Sequence, residues 1–379
     1  MLKIGVIGYG VRIDQIVRLL TESGKCALCA VADLNIARVK ERFPALLENE
    51  DLTYYTDAEK MLERESLDGV LIGTNCDSHT KYALLLAKHG IPMFLEKPVC
   101  TTYEDLSKLK TIGHMENKTV VSFPLRVTKL IEFIKEMIDS GKLGELSQVQ
   151  GYNNVTYASG YYHKWYRDDS ITGGLFLQKA THDLDYIDYI LGDLTPVRVC
   201  AMKSKQIFKG DKPKGYKCSE CPERESCQEG PVKLRKNNPE MILGDYCAFA
   251  VDTGNEDSGS VIIEYDSGLH AVYTQNFVAR NEAGKRGARI IGYKGTVEFD
   301  FTTGKAVYFS HEERVREEFD FSCAEKHFGG DAALAENFYD VMTGKGRSIA
   351  PLSDGIRSAE LCLAARKSSE EHIFVDIEN

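Results

Sequence analysis

The sequence has no run of about eighteen uninterrupted apolar residues, so no helix is expected to span a membrane. It also has no long basic tract. The densest clusters are Lys233-Leu234-Arg235-Lys236 and Lys285-Arg286, and 47 Lys and Arg face 57 Asp and Glu for a net charge of -10. That balance argues against nucleic acid as the main partner, and the short basic runs read as solvated faces. There is no internal repeat and no low-complexity stretch. The N-terminus, Met1-Leu2-Lys3-Ile4-Gly5-Val6-Ile7-Gly8, breaks into glycines where a signal peptide would continue its apolar core, so it reads as a first strand. Eleven cysteines are too few for a disulfide scaffold, and an odd number cannot all pair within one chain. These absences point to a cytoplasmic protein whose thiols are buried, reactive or bound to metal.

What is present is an ordinary globular composition: 379 residues, 43% apolar and 27% charged, enough for two to three domains. Short apolar runs bounded by turn residues alternate with amphipathic segments through the first 123 residues. Leu2 to Ile7, Cys26 to Ala32, Leu52 to Tyr55, Val70 to Ile72, Pro92 to Leu95 and Thr119 to Phe123 are expected strands. Arg12 to Glu22, Asn35 to Phe43, Asp57 to Arg64 (with Thr56 as its cap), Ser78 to His89 and Tyr103 to Glu116 are the expected helices between them. Strictly alternating elements of this kind predict a doubly wound parallel sheet, an α/β domain over residues 1–123.

Beyond Pro124 the pattern changes to α+β with a largely antiparallel sheet, over residues 124–379. Expected helices are Lys129 to Asp139, Ala180 to Leu191, Ala332 to Thr343 and Asp354 to Glu371. Expected strands include Leu146 to Tyr157, Val197 to Met202, Cys247 to Thr253, Gly259 to Tyr265, Gly268 to Phe277, Ala288 to Gly292 and Thr296 to Phe301. A polar stretch at about 203–238, rich in Lys, Glu, Pro and Cys, reads as an insertion.

Gly8-Tyr9-Gly10 directly follows the first strand and precedes the first helix. There, one glycine permits the tight turn and the next lets backbone approach a pyrophosphate at the helix N-terminus. The third glycine of the fingerprint is replaced by Ile13, which implies either a wider helix–strand spacing or a different helix start. Asp33 ends the second strand about twenty residues on, where a carboxylate can bond both ribose hydroxyls and would repel a 2′-phosphate, favouring NAD over NADP. The plainer alternative is a helix-capping aspartate. The fifth strand ends Glu96-Lys97-Pro98. A lysine there points into the crevice where open α/β sheets bind ligands, and a neighbouring nicotinium charge would ease its deprotonation; the alternative is a surface lysine.

With Gly73-Thr74-Asn75 and His79, Gly141-Lys142-Leu143-Gly144-Glu145, Trp165-Tyr166-Arg167, Gly173-Gly174, His182-Asp183-Leu184-Asp185 and Gly292-Tyr293-Lys294-Gly295, the chain resembles the glucose-fructose oxidoreductase, inositol dehydrogenase and rhizopine catabolism (Gfo/Idh/MocA) oxidoreductases over almost its whole length. The resemblance implies a Rossmann domain and an α/β domain whose open sheet commonly forms homodimers or homotetramers. It implies hydride transfer between nicotinamide and usually a sugar or polyol. By position it makes Lys97 the catalytic lysine, and His182 the histidine that shares proton transfer with it. Gly8, Gly10, Asp33, Thr74, Asn75, His79, Glu96 and Lys97 become cofactor contacts. Many members carry an aspartate four residues before that histidine. This chain has Gln178, which can hold a hydroxyl but cannot take a proton. A glycoside-cleaving reaction through transient oxidation and elimination therefore stays open beside a simple dehydrogenase. A sugar or NAD sensor is the third reading, and retention of both Lys97 and His182 argues against it.

Other polar groups are candidates for substrate contact: Gln178, the glycine-flanked His327, and Arg126 after the sixth strand and Arg167 before the glycine pair, both of which could equally bind cofactor phosphate or form surface ion pairs. Asp331 is expected to cap the last-but-one helix. Cys218, Cys221 and Cys227 form C-x2-C-x5-C, and with Cys247 they have the donor set of a structural zinc ion; free thiols or a disulfide are the alternatives. Cys26, Cys29, Cys200, Cys323 and Cys362 read as small core residues, and Cys76 and Cys100 as neighbours of the cofactor crevice.

Overall fold

A computed structural model describes residues 1–237, 243–322 and 326–378. Cys323 and the end of the expected insertion, at 238, lie outside them. The chain divides into two compact units, Met1–Phe133 with Ser322–Glu360, and Ile134–Phe321 with Leu361–Asn379. The return of Ser322–Glu360 to the first unit is not visible in the order of motifs.

The first unit holds a six-stranded sheet of order β3-β2-β1-β4-β5-β6. Its strands are β1 (Leu2–Ile7), β2 (Cys26–Ala32), β3 (Thr53–Tyr55), β4 (Gly69–Ile72), β5 (Met93–Leu95) and β6 (Thr119–Val121). Every pairing is parallel. The helices α1 (Val11–Glu22), α2 (Ile36–Arg42), α3 (Ala58–Arg64), α4 (His79–His89) and α5 (Tyr103–Lys110) fill the crossovers. Residues of β4 and β5 are buried throughout, as strands covered on both faces must be. Helix α1 turns Ile13, Ile16, Val17 and Leu20 inward at helical spacing. The cap of α3 is Asp57, which accepts from the Glu59 amide, one residue after the expected Thr56. The returning helix Gly330–Thr343 packs Phe338 edge-on against Phe94, and the Val121 amide donates to the Ala350 carbonyl at 2.8 Å.

The second unit is built on a nine-stranded sheet: β7 (Leu146–Asn154), β8 (Pro196–Ser204), β9 (Ser258–Tyr265), β10 (His270–Asn276), β11 (Lys285–Gly292), β12 (Gly295–Asp300), β13 (Lys305–Ser310), β14 (Arg316–Asp320) and β15 (Val375–Asp376). Its order is β14-β13-β12-β11-β7-β10-β9-β8-β15. All pairings are antiparallel except β7 with β10. The helix Thr181–Leu191 lays Leu184, Ile187 and Ile190 on this sheet. It is preceded by one π-helical turn, Phe176–Ala180, entirely buried. The expected strand Cys247 to Thr253 is absent: this segment turns, and only isolated bridges tie Lys217 to Tyr246 and Lys212 to Ala250. Its apolar residues pack into a local cluster of Tyr162, Phe208, Ala248 and Phe277.

Candidate active site

In the first unit the glycine loop has the geometry a dinucleotide needs. Gly8 sits at φ +80, and a Cβ there would lie 2.6 Å from the Thr74 side chain and 2.7 Å from its backbone. Only glycine suits both restraints. Gly10 caps α1 without any side-chain hydrogen bond, and a Cβ on it would meet nothing nearer than the Gly73 carbonyl at 4.0 Å. Open space thus faces first-turn amides that no side chain caps, a place for an anion. Ile13 takes the place of the third glycine because Gly73 yields: a Cβ on Gly73 would stand 2.0 Å from Ile13 Cγ1. The missing glycine has moved to the end of β4, so helix and strand keep their close approach.

Asp33 is half-buried after β2. Its Oδ2 accepts the Tyr9 amide at 3.0 Å and its Oδ1 the Asn35 amide at 2.8 Å. The cap of α2 is Asn35, not Asp33. Each oxygen of Asp33 keeps a lone pair for a diol. A dinucleotide therefore fits these residues.

Lys97 is half-buried at the carboxyl end of β5, and the Lys97-Pro98 bond is cis. Glu96 is buried, with Oε1 3.2 Å from Arg12 Nε. Arg12 is the residue that sequence reasoning missed here. An arginine in a first helical turn reads as solvated, yet its two Nη atoms clasp Asp331 at 2.6 and 2.5 Å, and Nη2 reaches Ser122 Oγ at 3.2 Å. Asp331 thus belongs to an ion pair and Gly329 is the helix cap. Burial would raise the Asp331 carboxyl, but His327 and Arg12 hold it down at about 2. His327 is exposed at φ 48, with Nδ1 2.8 Å from Asp331 Oδ2.

His79 does not offer a nitrogen to a ligand. It is 1% exposed, and its ring lies between the Pro98 carbonyl, 2.7 Å from Nδ1, and the Thr74 carbonyl, 3.1 Å from Nε2. Burial lowers its basicity. A neutral ring donates to only one of these carbonyls and fills the space between the two loops that end β4 and β5. Thr74 Oγ1 accepts from Ser78 Oγ at 2.8 Å, and Asn75 is exposed beside it. Burial pushes the Cys76 thiol up to about 11, so this crevice cysteine is not activated. Arg126 is buried and pairs with Asp354, all within this unit, so its guanidinium is committed internally.

The second unit carries the expected proton-transfer histidine. His182 is half-buried in the first turn of Thr181–Leu191, and Gln178 is buried in the π-turn before it. Behind them lies a buried polar knot. Asp183 accepts from Asn153 Nδ2 at 2.8 Å, Tyr273 Oη at 2.9 Å and Arg286 Nε at 2.7 Å. Arg167 is buried on Asp252 and Thr253 Oγ1, both at 2.7 Å, so it braces the local fold.

The four cysteines of the expected zinc site fall in this unit too. Among the described residues no group of three or more His, Cys, Asp or Glu is placed to hold a metal ion, so that expectation gains no support. Cys218 Sγ lies 3.6 Å from the Tyr246 carbonyl and 3.8 Å from His163 Nδ1. Burial, then the neighbouring Cys247, Asp245, Cys227 and Cys221, push the Cys218 thiol up to about 11, and burial with Cys221 and Cys227 raises that of Cys247. The described cysteines are free thiols.

A parallel sheet in 3-2-1-4-5-6 order, an open glycine loop and a carboxylate at the end of β2 define a dinucleotide-binding type of domain beside a second, largely antiparallel unit. Comparison with known proteins makes this specific. Residues 2–123 match the model described as oxidoreductase family, NAD-binding Rossmann fold, and residues 135–377 match oxidoreductase family, C-terminal alpha/beta domain. The chain belongs to the Gfo/Idh/MocA oxidoreductase family. YteT of Bacillus subtilis, named an oxidoreductase, is 24% identical over 80% of this chain and 81% of its own. An inositol 2-dehydrogenase of Pseudomonas fluorescens is 26% identical over 51% of this chain and 55% of its own length, about half of each. The structure of a levoglucosan dehydrogenase in complex with NADH superposes with a TM-score of 0.76 at 17% identity, over 100% of this chain and 99% of that one. No described helix is long and apolar enough to cross a membrane.

Proposed function

We propose that this chain is an NAD-dependent oxidoreductase acting on a secondary alcohol of a sugar, sugar derivative or polyol. The observation that carries the reading is the conjunction, in one rigid sheet, of the Gly8–Gly10 loop, Asp33 and the strand-end Lys97. The glycine loop and the α1 amides would hold the pyrophosphate. Asp33 would hold the adenosine ribose, and its charge disfavours a 2′-phosphate, so NAD is preferred to NADP. Thr74, Asn75 and Glu96 would border the nicotinamide end. When bound, the nicotinamide supplies the hydride acceptor or donor. Lys97 and His182 would take or return the hydroxyl proton, and Gln178 would hold a substrate hydroxyl. The names of the inositol and levoglucosan dehydrogenases support the substrate class.

Gln178 favours one second reading. A glutamine where relatives carry an acid suits an enzyme that oxidises a glycoside transiently and eliminates its substituent. Screening sugars, polyols and glycosides with NAD, by NADH absorbance and product chromatography, separates the two. Net NADH from an alcohol supports the dehydrogenase; glycoside cleavage without net NADH replaces it with the elimination.

The solvent face of the second sheet exposes Met202 by 70% and Ile262 by 46%, with Phe374 at 66% beside them. These apolar groups support a homodimer or homotetramer. Nicotinamide chemistry and free thiols support a cytoplasmic location.

A further inference from the structure

A second titratable pair lies within the substrate-side unit, and neither partner figures in the roles above. Lys179 is the residue after Gln178. It lies inside the π-turn Phe176–Ala180, a distortion frequent at functional sites. Lys179 is only 5% exposed, yet its ammonium donates to the Tyr157 hydroxyl and stands 4.7 Å from the centre of that ring. Tyr157 is 54% exposed, on the loop that leaves β7. The pair thus joins a buried cation to a tyrosine whose hydroxyl is buried although the residue as a whole is exposed.

The charges around Tyr157 favour its ionisation. Lys179 reaches it from the π-turn, Arg286 from β11 and Asp183 from the helix that carries His182. Tyr161, from the segment following Tyr157, is the neighbouring phenol, and burial pushes it up. Two cations and one carboxylate leave one positive charge in excess. Arg286 spends its Nε on Asp183 and keeps Nη2 buried with no hydrogen-bond partner. A phenolate at Tyr157 would cancel the excess. Burial alone would raise the Tyr157 phenol, but Lys179 and then Arg286 bring it below its ordinary range.

We infer that Tyr157 and Lys179 form a proton-transfer pair for the substrate hydroxyl, in the place of the carboxylate that Gln178 does not supply. This rests on the dehydrogenase reading. In the oxidising direction the hydroxyl proton taken up by His182 passes on to the Tyr157 phenolate, and the freed O–H electron pair becomes the second carbonyl bond. The C–H pair leaves with its hydrogen as hydride to the oxidant, a nicotinamide dinucleotide. In reduction, the Tyr157 hydroxyl returns the proton through His182 to the forming alkoxide. Lys179 acts through Tyr157 as a positioning cation.

The test uses the full chain with Tyr157→Phe and Lys179→Met, each first checked for NAD binding within about twofold of the parent. Ultraviolet titration of the phenols reads the pair without any substrate. The parent should show one phenol ionising ahead of the other tyrosines; Tyr157→Phe should lose it, and Lys179→Met should return it to the ordinary range. With a substrate found by the screen above, Tyr157→Phe should lower kcat by about 10²- to 10⁴-fold. Lys179→Met should move the limb of the kcat/KM pH profile upward. A parent and a Tyr157→Phe enzyme with equal kcat, or with superimposable phenol titrations, would overturn the pair while leaving the dehydrogenase reading intact. A parent inactive on every alcohol would instead overturn that reading, and the catalytic role with it.

Discussion

The two units place their polar chemistry by opposite means. In the first, the groups sit on strand ends and in one loop: Gly8, Gly10, Asp33 and Lys97 each follow a strand of the parallel sheet, and the backbone fixes them. In the second, Asn153, Asp183, Tyr273 and Arg286 come from four different segments and meet only when the sheet and the helix Thr181–Leu191 have packed. The first arrangement leaves backbone amides facing a ligand at little cost in desolvation. The second buries charge, so each member must be satisfied by the others.

The contrast can be broken at either end. Asp183→Asn strands the Arg286 guanidinium inside the second unit and should cost about 3–5 kcal/mol. Urea unfolding should show that loss while NAD affinity, a property of the first unit, stays within about twofold. Gly8→Ala should do the reverse. Its methyl would collide with Thr74 and hold an unfavourable φ, so NAD affinity should fall about 10- to 100-fold by titration. The second unit's unfolding should be unmoved.

A smaller effect sharpens the comparison from the first unit, through its Arg12–Asp331 ion pair. Asp331 titrates near 2 in the folded protein against 3.8 ordinarily. A depressed carboxyl stabilises fully above about pH 4 and loses that contribution as pH falls toward 2, a span worth about 2 kcal/mol. Asp331→Asn should flatten this acid limb in a melting-temperature series and leave the region above pH 6 parallel to the parent.

Much of the first unit was legible in the sequence because parallel strands buried on both faces are written as short apolar runs. Cys26–Ala32 coincides with its expected range, and the glycine loop falls between the elements it should join. The Ile13 departure was legible as a problem, but its solution lies at Gly73, sixty residues away, and needs the β1–β4 neighbourhood to be known. Arg12 was missed for the same reason: its partners Glu96, Ser122 and Asp331 are remote in sequence. In the second unit the apolar run at Cys247 to Thr253 looked like a strand, yet those residues pack as turns around an aromatic cluster. Lys179 was set aside because helical neighbours diverge, and its contact with Tyr157 depends on how the π-turn packs against the loop after β7. The cysteine spacing suggested zinc, but spacing does not fix where thiols point, and Cys218 points at the Tyr246 carbonyl.

The most direct test of the assigned chemistry is a paired measurement on Lys97→Met, with NAD titrated into the protein and turnover followed on the best alcohol of the screen. NAD affinity within about twofold of the parent, with turnover reduced by about 10³-fold or more, is the expected result. A Lys97→Met enzyme that binds NAD and turns over as the parent does would contradict the assignment of Lys97, and with it the reading of this strand end as the seat of proton transfer.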